Sequence, residues 1–291
     1  MLSYVPPPDG MATQHKGTEG LAINNTAINR FMTLLALKTT ARLYSRSGSC
    51  LRISPHKVVK TDPWVHLTEA ATMKFVSEHT SIPVPKVYCS FVRKNRAYIV
   101  MERMRGDEAP NAWAKLTEES RQQLLIDLQR MIKELRSLKP KGNGVSSCVG
   151  GSLRDSRIPR SRPRFGPFKS VNEFHLWLRD YLQPAEHSTW GDEQDWEEIK
   201  EMALKQDGLW PLPVFTHGDL NPSNVLVRDG KIISIIDWEF SGWYPHYWEY
   251  TSVWLGNTTR TEWRDRVCEV LDQFPAELGM EKVRHRWWGD F

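Results

Sequence analysis

Apolar positions recur at helical spacing in several stretches of the chain. Ile28, Phe31, Met32, Leu35 and Ala36 predict an amphipathic helix over 28–43 that packs on another element. Leu67, Ala70, Ala71, Phe75 and Val76 predict a second over 67–79, with Thr68 as a plausible cap. The longest pattern is Leu124, Leu125, Leu128, Met131, Ile132 and Leu135. It predicts a helix opened by Thr117, running to about Leu138 and ended by Pro140, with this stripe buried. Ser170 and Glu173 have capping-box spacing ahead of Val171, Phe174, Trp177, Leu178 and Tyr181. An acidic helix follows, with Asp192, Glu193, Asp195, Glu197, Glu198 and Glu201 around Trp196 and Ile199, and its acids read as a solvated face. A last helix is predicted from Thr261 to Phe274, after which the chain ends in Arg284-His285-Arg286-Trp287-Trp288 with no evident finishing element.

Strand signals lie between these helices. His56-Lys57-Val58-Val59-Lys60 is a short strand, and Ala97-Tyr98-Ile99-Val100-Met101 is a buried one running into Glu102-Arg103-Met104. Two prolines keep Thr80 to Tyr88 extended. Val225-Leu226-Val227-Arg228 and Lys231-Ile232-Ile233-Ser234-Ile235-Ile236 flank Asp229-Gly230. Asp-Gly between β-branched runs predicts a two-residue hairpin, because both turn residues tolerate positive φ.

That hairpin carries the chemistry. It folds Asp237 back toward the polar loop His217-Gly218-Asp219-Leu220-Asn221-Pro222-Ser223-Asn224. Two carboxylates and an amide in one place suit phosphoryl transfer, where catalysis consists of positioning a hydroxyl and neutralising phosphate charge. Asp237 and Asn224 are suitable oxygen ligands for Mg²⁺, which prefers a few protein oxygens and otherwise keeps waters and phosphate. Asp219 is then left as the base. The same residue types also form ordinary turns, so it is their combination that carries the reading.

Composition changes this picture little. Of 291 residues, 40% are hydrophobic, with 13 Trp, enough for a packed core in one two-lobed unit. A net charge of +4 calls for no nucleic-acid or membrane partner. Cys50, Cys89, Cys148 and Cys268 form no Cys-x-x-Cys, which fits a reducing, cytoplasmic setting. The N-terminus lacks the pattern of a signal peptide, and no run is long and apolar enough to span a bilayer. The basic run Arg154, Arg157, Arg160, Arg162 and Arg164 reads as a solvated loop bordering a pocket. The aromatic run Trp243 to Tyr250 reads as core between helices.

His-Gly-Asp-Leu-Asn-Pro-Ser-Asn (217–224) followed by Ile-Asp-Trp-Glu (236–239) resembles the aminoglycoside phosphotransferase and choline kinase-like branch of the protein-kinase-like superfamily. Thr80 to Tyr88 further resembles a segment of its fungal-type members, and the likeness extends from about Lys57 to Trp254. The resemblance implies an α+β, bilobal protein-kinase-like fold. Residues 1–26 would be an N-terminal arm, loose in character; 27–103 a nucleotide-binding lobe with a small antiparallel sheet; and 104–291 a mainly helical lobe with the catalytic loop. It implies ATP and Mg²⁺ as cofactors, a small hydroxylated acceptor as partner, and a monomer. Lys60 would hold the phosphates, with Lys57 as the alternative, and Glu69 would fix it. His217 would brace the loop. Ser47, Gly48 and Ser49 lie where the phosphate-covering loop belongs, although with a single glycine the stretch reads equally well as a Ser-rich turn. Backbone groups of Glu102, Arg103 and Met104 would face the adenine. A nucleotide-binding pseudokinase scaffold is the rival reading. A protein kinase proper is disfavoured by the missing Asp-Phe-Gly and Ala-Pro-Glu.

Overall fold

The computed structural model describes residues 10–158, 163–184 and 192–289. The N-terminal lobe is built on a five-stranded antiparallel sheet in the order β1-β2-β3-β5-β4. Its strands are β1 (Arg46–Ser47), β2 (Cys50–Arg52), β3 (Lys57–Lys60), β4 (Val87–Val92) and β5 (Ala97–Glu102). Register places Lys60 opposite Cys50 on one side and Ile99 on the other. Helix α3 (Leu67–His79) packs against this sheet and buries Glu69 with Leu67, Ala70, Met73 and Val76. Its cap is His66, whose Nδ1 accepts from the Thr68 N–H, and not the Thr68 hydroxyl.

The N-terminal arm is docked from residue 10 onward; residues 1–9 lie outside the described residues. It includes the short helix α1 (Gly10–Thr13). His15 is buried and stacks on His66 at 5.3 Å; the Ser90 N–H donates to the Ile23 carbonyl, and the Ile23 N–H donates to the Ser90 hydroxyl. Helix α2 (Ala27–Lys38) forms where its periodicity predicts, capped by Thr26, and a 3₁₀ turn completes the stretch. Its orientation is the reverse of the expected one. Ile28, Phe31, Met32 and Leu35 are 73%, 64%, 55% and 42% exposed. The helix meets the sheet through Thr33, whose hydroxyl lies beside Cys89, and through Leu37.

Strand β6 (Asp107–Glu108) crosses into the second lobe and pairs with β8 (Val225–Arg228), which pairs with β9 (Lys231–Ile235). Strands β7 (Val214–Thr216) and β10 (Gly242–Tyr244) form a two-stranded sheet. Around them stand α4 (Ala109–Trp113), α5 (Glu118–Ser137), α6 (Val171–Leu178), α7 (Glu193–Gln206), α8 (Trp248–Gly256), α9 (Thr261–Val270) and α10 (Pro275–Trp288). All six predicted stripe residues of α5 are buried, and its Thr117 cap is present. Burying that stripe stabilises the lobe by roughly 1.5–3 kcal/mol per large side chain. In α6 the Ser170 hydroxyl accepts from the Glu173 N–H, but Glu173 reaches the N–H of Lys169 and not that of Ser170. Asp192 and Asp195 make the reciprocal box that opens α7. A further helix forms where the sequence showed no evident element. Helix α10 follows α9 after a break at Leu271–Phe274, and its buried Glu281 and Arg284 pair at 2.7 Å. Trp243, Tyr244, Tyr247 and Trp248 are buried, as core packing requires.

Candidate active site

The predicted Asp229-Gly230 turn has φ of 52° and 72°, the mirror-image turn that matches strand twist. It returns the chain so that the Ile236 N–H donates to the Asn224 carbonyl at 2.9 Å, tying the two polar loops together. At the head of the first loop Gly218 has φ +83°, and a Cβ there would stand 2.7 Å from the Phe240 carbonyl oxygen, so only glycine fits. His217 is fully buried. The Asp219 N–H lies 3.2 Å from its Nδ1, which therefore accepts, while Nε2 donates to the Ile236 carbonyl at 3.1 Å. Both ring nitrogens are thus engaged by backbone, and His217 is a brace.

Asp219 is held through one oxygen. Its Oδ2 accepts from Asn221 Nδ2 at 3.1 Å and from Asn224 Nδ2 at 3.0 Å. The Asn224 amide nitrogen also reaches the Asp219 carbonyl at 2.9 Å, so Oδ1 is the atom of that side chain that could hold a metal ion. Glu249, which sequence reasoning missed, lies buried on α8 and accepts from the backbone N–H groups of His217 at 2.7 Å and Gly218 at 3.1 Å. Its signal was a lone acid in an aromatic run predicted to be core.

Lys60 occupies the centre of the second group. Its Nζ lies 2.8 Å from Glu69, 2.6 Å from Asp237 and 4.0 Å from Glu239. Burial opposes the ammonium, but these three carboxylates outweigh it and hold the Lys60 pKa well above its ordinary value. The carboxylates are in surplus. Burial, only partly offset by Lys60, pushes Glu69 up to about 7, and it raises Glu239 as well. Oxygens of Glu69, Asp237 and Glu239 all lie within 4.8 Å of one another. Such a set has room for more positive charge than one lysine supplies.

Lys60, Glu69 and Asp237 line one cleft of about 370 Å³ with Ser47, Gly48, Ser49, Glu102, Arg103, Met104 and Asn224. The sequence-predicted nucleotide and metal residues are therefore brought together. His217 and Asp219 are not among the lining residues and sit at the loop that supplies Asn224. Sequence reasoning did not single out the apolar walls Val58, Met73, Leu226 and Ile236. Lys57 is excluded as the alternative lysine: it is exposed and stands over the Tyr88 ring at 4.6 Å.

Three of the five arginines of the run, Arg154, Arg157 and Arg164, are engaged with the protein and not solvated. Arg154 pairs with Glu239 and lies over the rings of Trp64 and Phe240. Arg157 pairs with the buried Asp155 and donates to the Gly218 carbonyl at 2.6 Å, beside the catalytic-loop candidates. Arg164 is buried and donates to the Ser152 carbonyl at 2.6 Å. Arg160 and Arg162 lie outside the described residues. The acids of α7 stay largely on the surface, with Asp195 and Glu198 near Arg286.

An antiparallel N-terminal lobe, a helical lobe and a polar double loop between them define a kinase-like fold of mixed helix and sheet. The chain belongs to the phosphotransferase enzyme family, whose model matches residues 50–285. It is 26% identical over 217 residues to an aminoglycoside 3'-phosphotransferase of Escherichia coli, covering 73% of this chain and 71% of that one. Among solved structures it resembles the apo form of a thermostable mutant of aminoglycoside phosphotransferase APH(4)-Ia, with a TM-score of 0.56 and 14% identity over 82% of each chain. It also resembles APH(2")-IIa in complex with gentamicin, with a TM-score of 0.55 and 16% identity over 91% of this chain and 87% of that one. A ternary complex of the APH(4)-Ia mutant with ADP and hygromycin B has a TM-score of 0.52 and 13% identity, over 83% and 82% of the two chains.

Proposed function

We propose that the protein is an ATP- and Mg²⁺-dependent kinase that moves the γ-phosphate to a hydroxyl of a small molecule, as a cytoplasmic monomer. The observation that carries this reading is the convergence of Lys60, Glu69, Asn224 and Asp237 on one cleft, bounded by the Ser47–Ser49 hairpin and the Glu102–Met104 crossover. Each comes from a different stretch of chain, and a set of ordinary turn residues has no reason to meet there. Nucleotide complexes among the fold's relatives support ATP as donor. The unpaired thiols fit a reducing compartment.

In this reading the adenine lies between Val58 and Leu226, against backbone groups of Glu102 to Met104. Backbone N–H groups of Ser47 to Ser49 cover the phosphates, with Gly48 at φ +54° permitting the tight hairpin. The Lys60 ammonium binds the phosphate oxygens, and Glu69 keeps its stem in place. Asp237 and Asn224 would hold Mg²⁺, and the surplus of carboxylates around Lys60 is the feature that fits a divalent cation. When bound, the ion neutralises charge on the phosphates. Asp219, with one oxygen fixed by two amides, orients the acceptor hydroxyl and takes its proton as the new O–P bond forms and the bond to the ADP oxygen breaks. The Arg157 bond to Gly218 and the Glu249 bonds to His217 and Gly218 position that carboxylate.

The test is a screen of purified protein with γ-labelled ATP and Mg²⁺ against a panel of hydroxyl compounds that includes aminoglycosides. Label transfer to one acceptor class supports the reading. Tight ATP binding with no transfer to any compound assigns the chain to nucleotide-binding scaffolds.

A further inference from the structure

A second cleft lies outside the site above. It measures about 750 Å³ and is lined by Arg52, Arg103, Arg105, Lys115 and Arg228, with Asp107 and Asp229 as its only acids. A surplus of three positive charges in one cleft compares with +4 for the whole chain. Of the five cations only Lys115 has a carboxylate partner among the described residues, Asp107 at 2.7 Å. Arg52 donates to the Ser54 carbonyl and lies over Tyr44. Arg105 donates to the Pro55 carbonyl at 3.1 Å, and Arg228 to the Arg105 carbonyl at 3.4 Å. These partners are neutral, so Arg52, Arg105 and Arg228 have no carboxylate partner among the described residues. This contrasts with Arg154, Arg157 and Arg179, each of which has a carboxylate.

The cations come from both lobes. Arg52 ends β2, Arg103 and Arg105 follow β5, Lys115 follows α4 and Arg228 ends β8. Gly106 closes the floor: a Cβ there would stand 2.7 Å from Ile233 Cδ1 and 2.9 Å from the Val227 carbonyl oxygen. The crossover is thereby pressed onto the β8–β9 hairpin. Arg103 and Met104 line both this cleft and the nucleotide cleft, so the two are neighbours across the crossover. Lys60, Asp219 and Asp237 do not line it, so it is not where the acceptor hydroxyl is phosphorylated.

The geometry points to a second binding site, for a small polyanion carrying clustered phosphate groups, on the outer side of the inter-lobe crossover. Its volume is that of a small-molecule site, commonly about 300–1,000 Å³. Planar guanidinium groups are suited to phosphate because each offers two parallel N–H donors. The site stands independently of the kinase reading, and its test reads binding and not turnover.

Isothermal titration of the full chain with sodium tripolyphosphate tests it, using wild type, Arg105→Gln/Arg228→Gln and Lys60→Met, each checked for an intact fold by circular dichroism. The expected result is saturable binding, weakened at least tenfold in Arg105→Gln/Arg228→Gln and within threefold of wild type in Lys60→Met. Absence of saturable binding would overturn the proposal. So would retention within threefold in the double variant, or an equal loss in Lys60→Met, which would place the ligand in the nucleotide cleft.

Discussion

Lys60 Nζ lies 2.6 Å from Asp237 Oδ1 across 177 residues of sequence, joining the N-terminal lobe to the polar double loop. The same nitrogen reaches Glu69 at 2.8 Å, and the Lys60 and Glu69 side chains are 7% and 2% exposed. Removing the ammonium strands Glu69 in the interior. Breaking a buried pair by deleting one partner costs about 3–5 kcal/mol, whereas replacing both by apolar groups of similar volume is often neutral. Asp237 contributes less, because its side chain is 36% exposed. Urea denaturation of Lys60→Met should therefore show a loss of about 3 kcal/mol or more. Lys60→Met/Glu69→Leu should recover most of it, and an equally unstable double variant would disprove the stranded charge.

Among the described residues, Asp219 makes its side-chain hydrogen bonds through Oδ2, with Asn221 and Asn224. Asp219→Asn keeps the shape and removes the proposed base. Turnover on any acceptor found by the screen should fall by about 10²–10⁴. Nucleotide affinity should stay within twofold, since Asp219 does not line the nucleotide cleft. Substantial residual turnover in a steady-state assay would remove Asp219 from the role of base.

Much of this was legible in the sequence, for a reason tied to distance along the chain. The α5 stripe, the Asp229-Gly230 turn and the 217–224 loop are local patterns, and local sterics or periodicity determine them. What failed was long-range. The α2 pattern gave the helix, but periodicity does not say which face meets the protein, and here Thr33 and Leu37 do. Arg154 and Arg157 counted as solvated charge because their partners Glu239 and Gly218 lie 85 and 61 residues away. The end of the chain looked unfinished because α10 carries an ion pair, Glu281–Arg284, in its buried face in place of a clean apolar stripe.

His175 supplies a pH prediction. It is buried on α6, with Nδ1 near the Gln206 carbonyl and Nε2 2.7 Å from the Tyr247 hydroxyl. Burial, helped by the nearby Arg179 and Arg284, lowers its pKa from 6.5 to about 3. The folded state keeps it neutral while the unfolded chain takes up a proton below 6.5. Its stabilising term is thus complete above 6.5 and is lost as pH falls toward 3. His66, lowered by burial to about 2, acts in the same sense. Urea midpoints measured between pH 6 and 5 should fall with acid. In His175→Gln the slope should shrink by about one proton, or ~1.4 kcal/mol per pH unit. An unchanged slope would mean that His175 is protonated in the folded protein.

Glu249 offers a way to disturb the catalytic-loop candidates without touching them. Its two oxygens accept from the backbone N–H groups of His217 and Gly218, and α8 holds it in the core. Glu249→Gln keeps the volume but turns one acceptor oxygen into a donor that faces a backbone donor. Hydrogen bonds to a charged group are worth about 1.5–3 kcal/mol, so the loss of stability should fall in that range. Asp219 follows Gly218 directly in the loop, so a displaced Gly218 N–H shifts Asp219 with it. Turnover should accordingly drop by more than tenfold while the nucleotide Kd changes little, and Glu249→Asp, which keeps the charge, should restore part of the rate. If Glu249→Gln loses stability yet keeps full kcat, the carboxylate serves the core alone and does not position the loop.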